Sequence, residues 1–146
     1  ANKVVVEAVP AQHFSGRGML DRDATLWCGY VIKTSLGNIY FAGDSGYNPT
    51  IFKEIGNRFS PILSIIPIGA YKAEWFMSPI HCSPAEAVQI HLDVKSAKSI
   101  ASHFGTYPLA DDGYEDPVTD LKIALTERGV DPNSFLALQE GKYLVI

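Results

Sequence analysis

The run Asn38 to Ala42 ends in Gly43-Asp44-Ser45-Gly46, an apolar stretch that stops on a carboxylate held between glycines. This is the pattern of a strand that breaks off sharply, so that its next side chain projects from the sheet edge. The pattern occurs twice more: Val4 to Val9 leads into Gln12-His13, and Ser99 to Ser102 leads into His103. Three strands that each deliver a metal-ligating side chain predict a layered sheet whose loops gather at a common edge.

The rest of the chain supplies the elements such a sheet needs. Residues 3 to 9 are rich in valine and run into Pro10, which suits a strand that ends where the ladder lacks a donor. After a polar loop from His13 to Thr25, Leu26 to Thr34 predicts a second strand. Leu36-Gly37-Asn38 then supplies turn residues for a β-hairpin with Ile39 to Ala42. Asn48-Pro49 gives an N-cap and a first-turn proline for a helix over about 49 to 58, with Ile51, Phe52, Ile55 and Phe59 at helical spacing.

Ile62 to Ile68 is a continuous apolar run, predicting a strand buried on both faces. A loop rich in aromatics follows, and Ser83-Pro84-Ala85-Glu86 forms a capping box for a helix with Ala87, Val88, Ile90 and Leu92 at its apolar positions. Ser96 to Ser102 is the strand that delivers His103. Asp116-Pro117 opens a third helix, with Val118, Leu121, Ile123, Ala124 and Leu125 toward the core and its end near Gly129. Phe135 to Leu138 and Tyr143 to Ile146, separated by Glu140-Gly141, predict a closing hairpin. Strands first, then strand alternating with helix, place the chain in the α/β class as one domain or part of one.

Composition narrows the function classes. The 146 residues are 47% hydrophobic and 19% charged, as in a globular protein, and no apolar run approaches the ~20 residues that cross a bilayer. A formal net charge of -4 gives no electrostatic reason to expect a nucleic-acid partner. Cys28 and Cys82 form no CxxC pair, so two reduced, buried thiols in a cytoplasmic protein are expected. The strand-like Val4-Val5-Val6 comes almost at once, as in a segment of a longer protein.

Asp and His suit zinc, with manganese or iron as alternatives, because neutral imidazole is the commonest ligand and a carboxylate can bridge two cations. His13, Asp44 and His103 are therefore the candidate metal ligands. Gly43-Asp44-Ser45-Gly46 also resembles the segment around the nucleophile of chymotrypsin-like proteases. Tyr47-Asn48 in place of Gly-Pro, the short chain and three proline-opened helices argue against that reading of Ser45. Neither GxGxxG nor GxxxxGK[ST] occurs, so a nucleotide-binding loop is not supported.

Four separated segments carry a resemblance: Pro10-Ala11-Gln12-His13-Phe14, Phe41 to Tyr47, Ile66 to Tyr71 with Trp75-Phe76-Met77, and His103-Phe104-Gly105-Thr106. Their order resembles the carboxyl-terminal part of the N-acyl-phosphatidylethanolamine phospholipase D group and of RomA-like proteins, which are metallo-β-lactamase fold hydrolases. The resemblance implies half of an αββα sandwich, a mixed sheet with helices on one face, spanning residues 1 to 146. It implies that His13 binds one metal, Asp44 bridges two and His103 binds the second, with zinc in a two-metal complete site and hydrolysis of a phosphodiester, lipids included, as the reaction.

That group carries an H-x-H-x-D-H motif in its first half, and this chain has none; its other histidines are His81 and His91. The missing amino-terminal half is thus the first expected partner, and the segment alone is expected to be inactive or weak. By the resemblance His81 falls in a loop near the site, where it either contacts a phosphate or leaving group, in a catalytic role beside Asp44, or is a polar loop histidine, whereas His91 is expected to be structural. Tyr71, Trp75, Phe76 and Met77 either line an acyl-chain groove or form a lid over exposed sheet, the latter being preferred, and Arg17 is expected to be solvated. A half-sandwich would expose a sheet face and associate through it, as a homodimer for example, and a lipid substrate would bring the protein to a membrane. The alternative is a non-catalytic binding or assembly module that retains the fold.

Overall fold

The structure, a computed structural model, describes residues 4–146; Lys3, the first residue of the expected opening strand, lies outside them. Six strands form one sheet in sequence order: β1 (Val5–Pro10), β2 (Cys28–Thr34), β3 (Gly37–Phe41), β4 (Leu63–Pro67), β5 (Lys98–Ser102) and β6 (Phe135–Leu136). The first three are antiparallel, and β3 to β6 run parallel. Parallel neighbours need crossovers. These are supplied by α1 (Pro49–Phe59), by α2 (Glu74–Met77) with α3 (Pro84–Asp93), and by α4 (Asp116–Glu127). None of the described helices is long and apolar enough to cross a membrane.

Local chemistry sets the helix starts. The Asn48 side chain accepts hydrogen bonds from Thr50 and Ile51 N–H at 3.1 and 3.3 Å. Ser83 and Glu86 bond each other's backbone N–H, completing the expected capping box. The β2–β3 turn falls at Ser35-Leu36, one residue earlier than expected, because Thr34 Oγ1 accepts from Leu36 N–H and donates to the Gly37 carbonyl. Gly37, at φ 142°, then opens β3.

The two faces of the sheet differ sharply. Val9, Val31, Tyr40 and Ile66 face the helices, 0–2% exposed, and join Phe52, Ile55, Val88, Ile90, Leu121 and Phe135 in one core. Two polar pairs lie on that side, His91 Nδ1 with Ser99 Oγ at 2.8 Å and Ser64 Oγ donating to Ser96 Oγ at 2.8 Å, whereas the buried Tyr40 hydroxyl has no partner. On the opposite face the register aligns Ala8, Tyr30, Phe41, Ile65, Ile100 and Leu136 in a row across all six strands. Tyr30 and Phe41 in that row are 41% and 40% exposed, and Val6 beside it is 58% exposed.

Several expectations are corrected. The closing segment forms no hairpin: β6 is two residues long and pairs in parallel with β5, while Tyr143 and Val145 are exposed and have no neighbouring strand to join. Four residues of the aromatic loop form α2, a turn without a side-chain cap to announce it. Leu92 and Ile123 are exposed: helical phase turns them outward, putting His91 toward the core in place of Leu92, while Ala124 faces the core as expected. His91 is structural, as expected.

Candidate metal centre

His13, Asp44 and His103 follow β1, β3 and β5, and the fold brings all three to one edge of the sheet. Asp44 Oδ2 lies 3.6 Å from His103 Nε2, with side-chain exposures of 47% and 20%. His81, from the loop ahead of α3, sits between the other two imidazoles: its ring centroid is 5.2 Å from that of His13 and 5.1 Å from that of His103. Asp44 is delivered by Gly43 at φ 67°, a left-handed turn that glycine adopts freely. His103 itself has φ 57°, and its carbonyl would lie 2.2 Å from a Cβ at residue 69, so Gly69 permits the close passage of the two chains.

The electrostatics leave lone pairs free. His13 Nδ1–H donates to the Phe14 carbonyl at 2.9 Å, which leaves Nε2 as the basic nitrogen, and Nε2 is buried without a partner. His81 Nδ1 is likewise buried and unpaired. Burial, reinforced by the neighbouring His103 and His13, lowers the His81 pKa to about 4, so its imidazole is neutral at pH 7. Unclaimed imidazole nitrogens beside a carboxylate fit a divalent cation. Among the described residues, however, no three His, Cys, Asp or Glu side chains converge as a complete metal site requires.

The remaining sequence candidates fall elsewhere. Ser45 is fully buried; its Oγ accepts from Gln12 N–H at 2.9 Å and donates to the Gly46 carbonyl at 2.8 Å, the bonding of a structural hydroxyl. Tyr71 is buried with its hydroxyl on Asp120, Trp75 and Phe76 are 84% and 64% exposed, and Arg17 is exposed. Both cysteines are free thiols, Cys82 buried and Cys28 half-buried.

A cleft of about 560 Å³ opens beside His103, lined by Phe104, Tyr107, Leu109, Tyr114 and Asp112, none of which was singled out as a site residue. Asp112 Oδ2 accepts from Ala70 N–H at 3.1 Å, and its Oδ1 is buried without a partner. The apolar run after His103 was the available signal for this cleft. Nothing in the local pattern distinguishes Asp112 from its neighbouring carboxylates.

Residues 1–104 match the family model described as beta-lactamase superfamily domain. The chain is 37% identical over 142 residues to N-acyl-phosphatidylethanolamine-hydrolyzing phospholipase D 1 of Caenorhabditis elegans, covering 95% of this chain and 40% of that protein. It is 40% identical over 106 residues to outer membrane protein RomA of Klebsiella pneumoniae, covering 72% and 77% respectively. In fold it is similar to an isothiocyanate hydrolase from Delia radicum gut bacteria, with TM-score 0.74 and 19% identity over 98% of this chain and 54% of that one. The chain thus spans less than half of the nematode relative and about half of the solved hydrolase. Fold, motif order and identity agree that the chain belongs to the beta-lactamase superfamily, with the mixed sheet and one-sided helices of the metallo-β-lactamase fold.

Proposed function

We propose that the protein is a metal-dependent phosphodiesterase of the phospholipase D type, with lipid phosphodiesters as its substrate class, and that this chain carries one half of the site. The observation that carries the reading is the meeting of His13, Asp44, His81 and His103 at one sheet edge, with the basic nitrogen of His13 buried and unclaimed. The name of the nematode relative supports the phosphodiester chemistry.

His13 would hold one cation, Asp44 would bridge to a second, and His103 would hold that second one, zinc being the favoured metal. Such a pair supplies an activated water and a clamp on phosphoryl oxygens. His81, neutral at pH 7, presents an imidazole to the same space and is placed to hydrogen-bond a phosphoryl or leaving oxygen. Asp44 is the more open of the Asp44–His103 pair.

The remaining ligands come from an amino-terminal half carrying H-x-H-x-D-H, and the apolar row from Ala8 to Leu136 is the surface on which that half packs. The chain alone is inactive, because a half-set of ligands binds metal weakly. One observation favours the second reading, a non-catalytic module: the absence of three convergent ligands among the described residues.

Hydrolysis of bis(p-nitrophenyl) phosphate with added zinc decides between them. The chain joined to an amino-terminal half turns the ester over, and His103→Ala reduces turnover to background. No turnover by the joined protein supports the module. Full turnover by these 146 residues alone would refute the division of the site.

A further inference from the structure

Gln12 makes bonds that the proposed chemistry does not use. Its backbone N–H donates to Ser45 Oγ at 2.9 Å, and its carbonyl accepts from Gly46 N–H at 2.8 Å. Its side-chain Nε2 donates to the Pro79 carbonyl at 3.2 Å and reaches the Tyr47 carbonyl at 3.5 Å, while Oε1 accepts from Asn48 Nδ2 at 3.0 Å. Cys82 N–H closes the circuit on the Ser45 carbonyl at 3.0 Å.

Every one of these bonds lands within a few residues of a candidate group. Gln12 precedes His13, Ser45 follows Asp44, and Pro79 and Cys82 flank His81. Asn48 fixes the far end, because its Oδ1 also caps α1. The partners are 33 to 67 residues apart in sequence, so three loops with no local reason to adopt one arrangement are held by one side chain and its own backbone. His103 is outside this circuit. It arrives on β5 and is seated by the close passage at Gly69.

We infer that Gln12 is a positioning residue, which sets His13 against Asp44 and His81 before any metal arrives. The inference rests on the metal-site reading for its purpose, though not for its geometry. The role is specific to glutamine: glutamate retains an acceptor for Asn48 but cannot donate to Pro79 or Tyr47, and asparagine is one methylene short. Partners of this kind, which orient ligands without touching metal, are typically worth about 10–100-fold in metal affinity.

The test uses the 146-residue chain and follows the imidazole nitrogen resonances of its four histidines, assigned by single His→Gln variants. In metal-free Gln12→Ala, the His13 and His81 resonances shift or broaden, while that of His91, on α3 and outside the circuit, stays in place. Zinc affinity, read by competition with a chromophoric chelator, falls about tenfold, and less in Gln12→Glu. Unmoved His13 and His81 resonances overturn the inference, and so does a common shift of all four, which would mean a general loss of structure. Should the alanine variant fail to fold, Gln12→Glu is read by the same criteria. A chain joined to an amino-terminal half that still binds no zinc refutes the metal reading, and the imidazole spectra of the metal-free 146-residue chain still decide the role of Gln12.

Discussion

The two faces of the sheet are built from the same kinds of residue and treated differently. On β4, Ile66 faces the helices and is fully buried, while its neighbour Ile65 faces the other way and keeps partial exposure. Alternation normally sends polar side chains to an open face. Here the open face carries Ala8, Tyr30, Phe41, Ile65, Ile100 and Leu136 in register, the composition of a covered surface. The difference teaches that the helices complete one core, while the second face presents an apolar row that the described residues leave partly exposed.

Truncation on β4 is the strongest attempt to break this contrast. Ile66→Ala should cost about 2–5 kcal/mol by denaturant unfolding, and Ile65→Ala about 1 kcal/mol, because only the first leaves a closed cavity. Equal losses would mean that the open face is already packed. Joining an amino-terminal half should raise the cost of Ile65→Ala toward that of Ile66→Ala, which would identify the covering layer.

The covered face also holds a titratable group. Burial lowers the His91 pKa below its ordinary 6.5, so below that pH the unfolded chain takes up a proton that the native chain refuses. Stability should therefore fall as pH drops below about 6.5. In urea titrations at stepped pH, His91→Gln should flatten that decline, and an unchanged slope would remove His91 as its source.

Helix capping gives a smaller effect on the same side. Ser83→Ala removes one arm of the capping box and should cost about 1 kcal/mol in thermal or urea unfolding. On the open face, Phe41→Ser should change stability by about 0.5 kcal/mol or less. It should nevertheless abolish any self-association of the chain seen by sedimentation, and association that survives the change would locate the contact elsewhere.

Features set within one or two turns were readable in the sequence. Asn48-Pro49, the Ser83 to Glu86 box and the strand runs before His13, Asp44 and His103 act through bonds to their own neighbours, and each lies where its pattern put it. What escaped depends on distant partners. The pairing of β6 is decided by β5, some 35 residues earlier in the chain. Gln12 was visible as part of a motif, but its side-chain bonds to Asn48 and Pro79 have no period to betray them. The outward phase of Leu92 follows from where β5 offers Ser99 to His91, which helical spacing alone does not contain.

Metal content tests the central claim most directly. The chain joined to an amino-terminal half bearing H-x-H-x-D-H, purified with zinc and measured by elemental analysis, should hold two metal ions per molecule, and Asp44→Ala should hold one or none. Undiminished metal in that variant, or none in the intact protein, would contradict a site bridged at the carboxylate that ends β3.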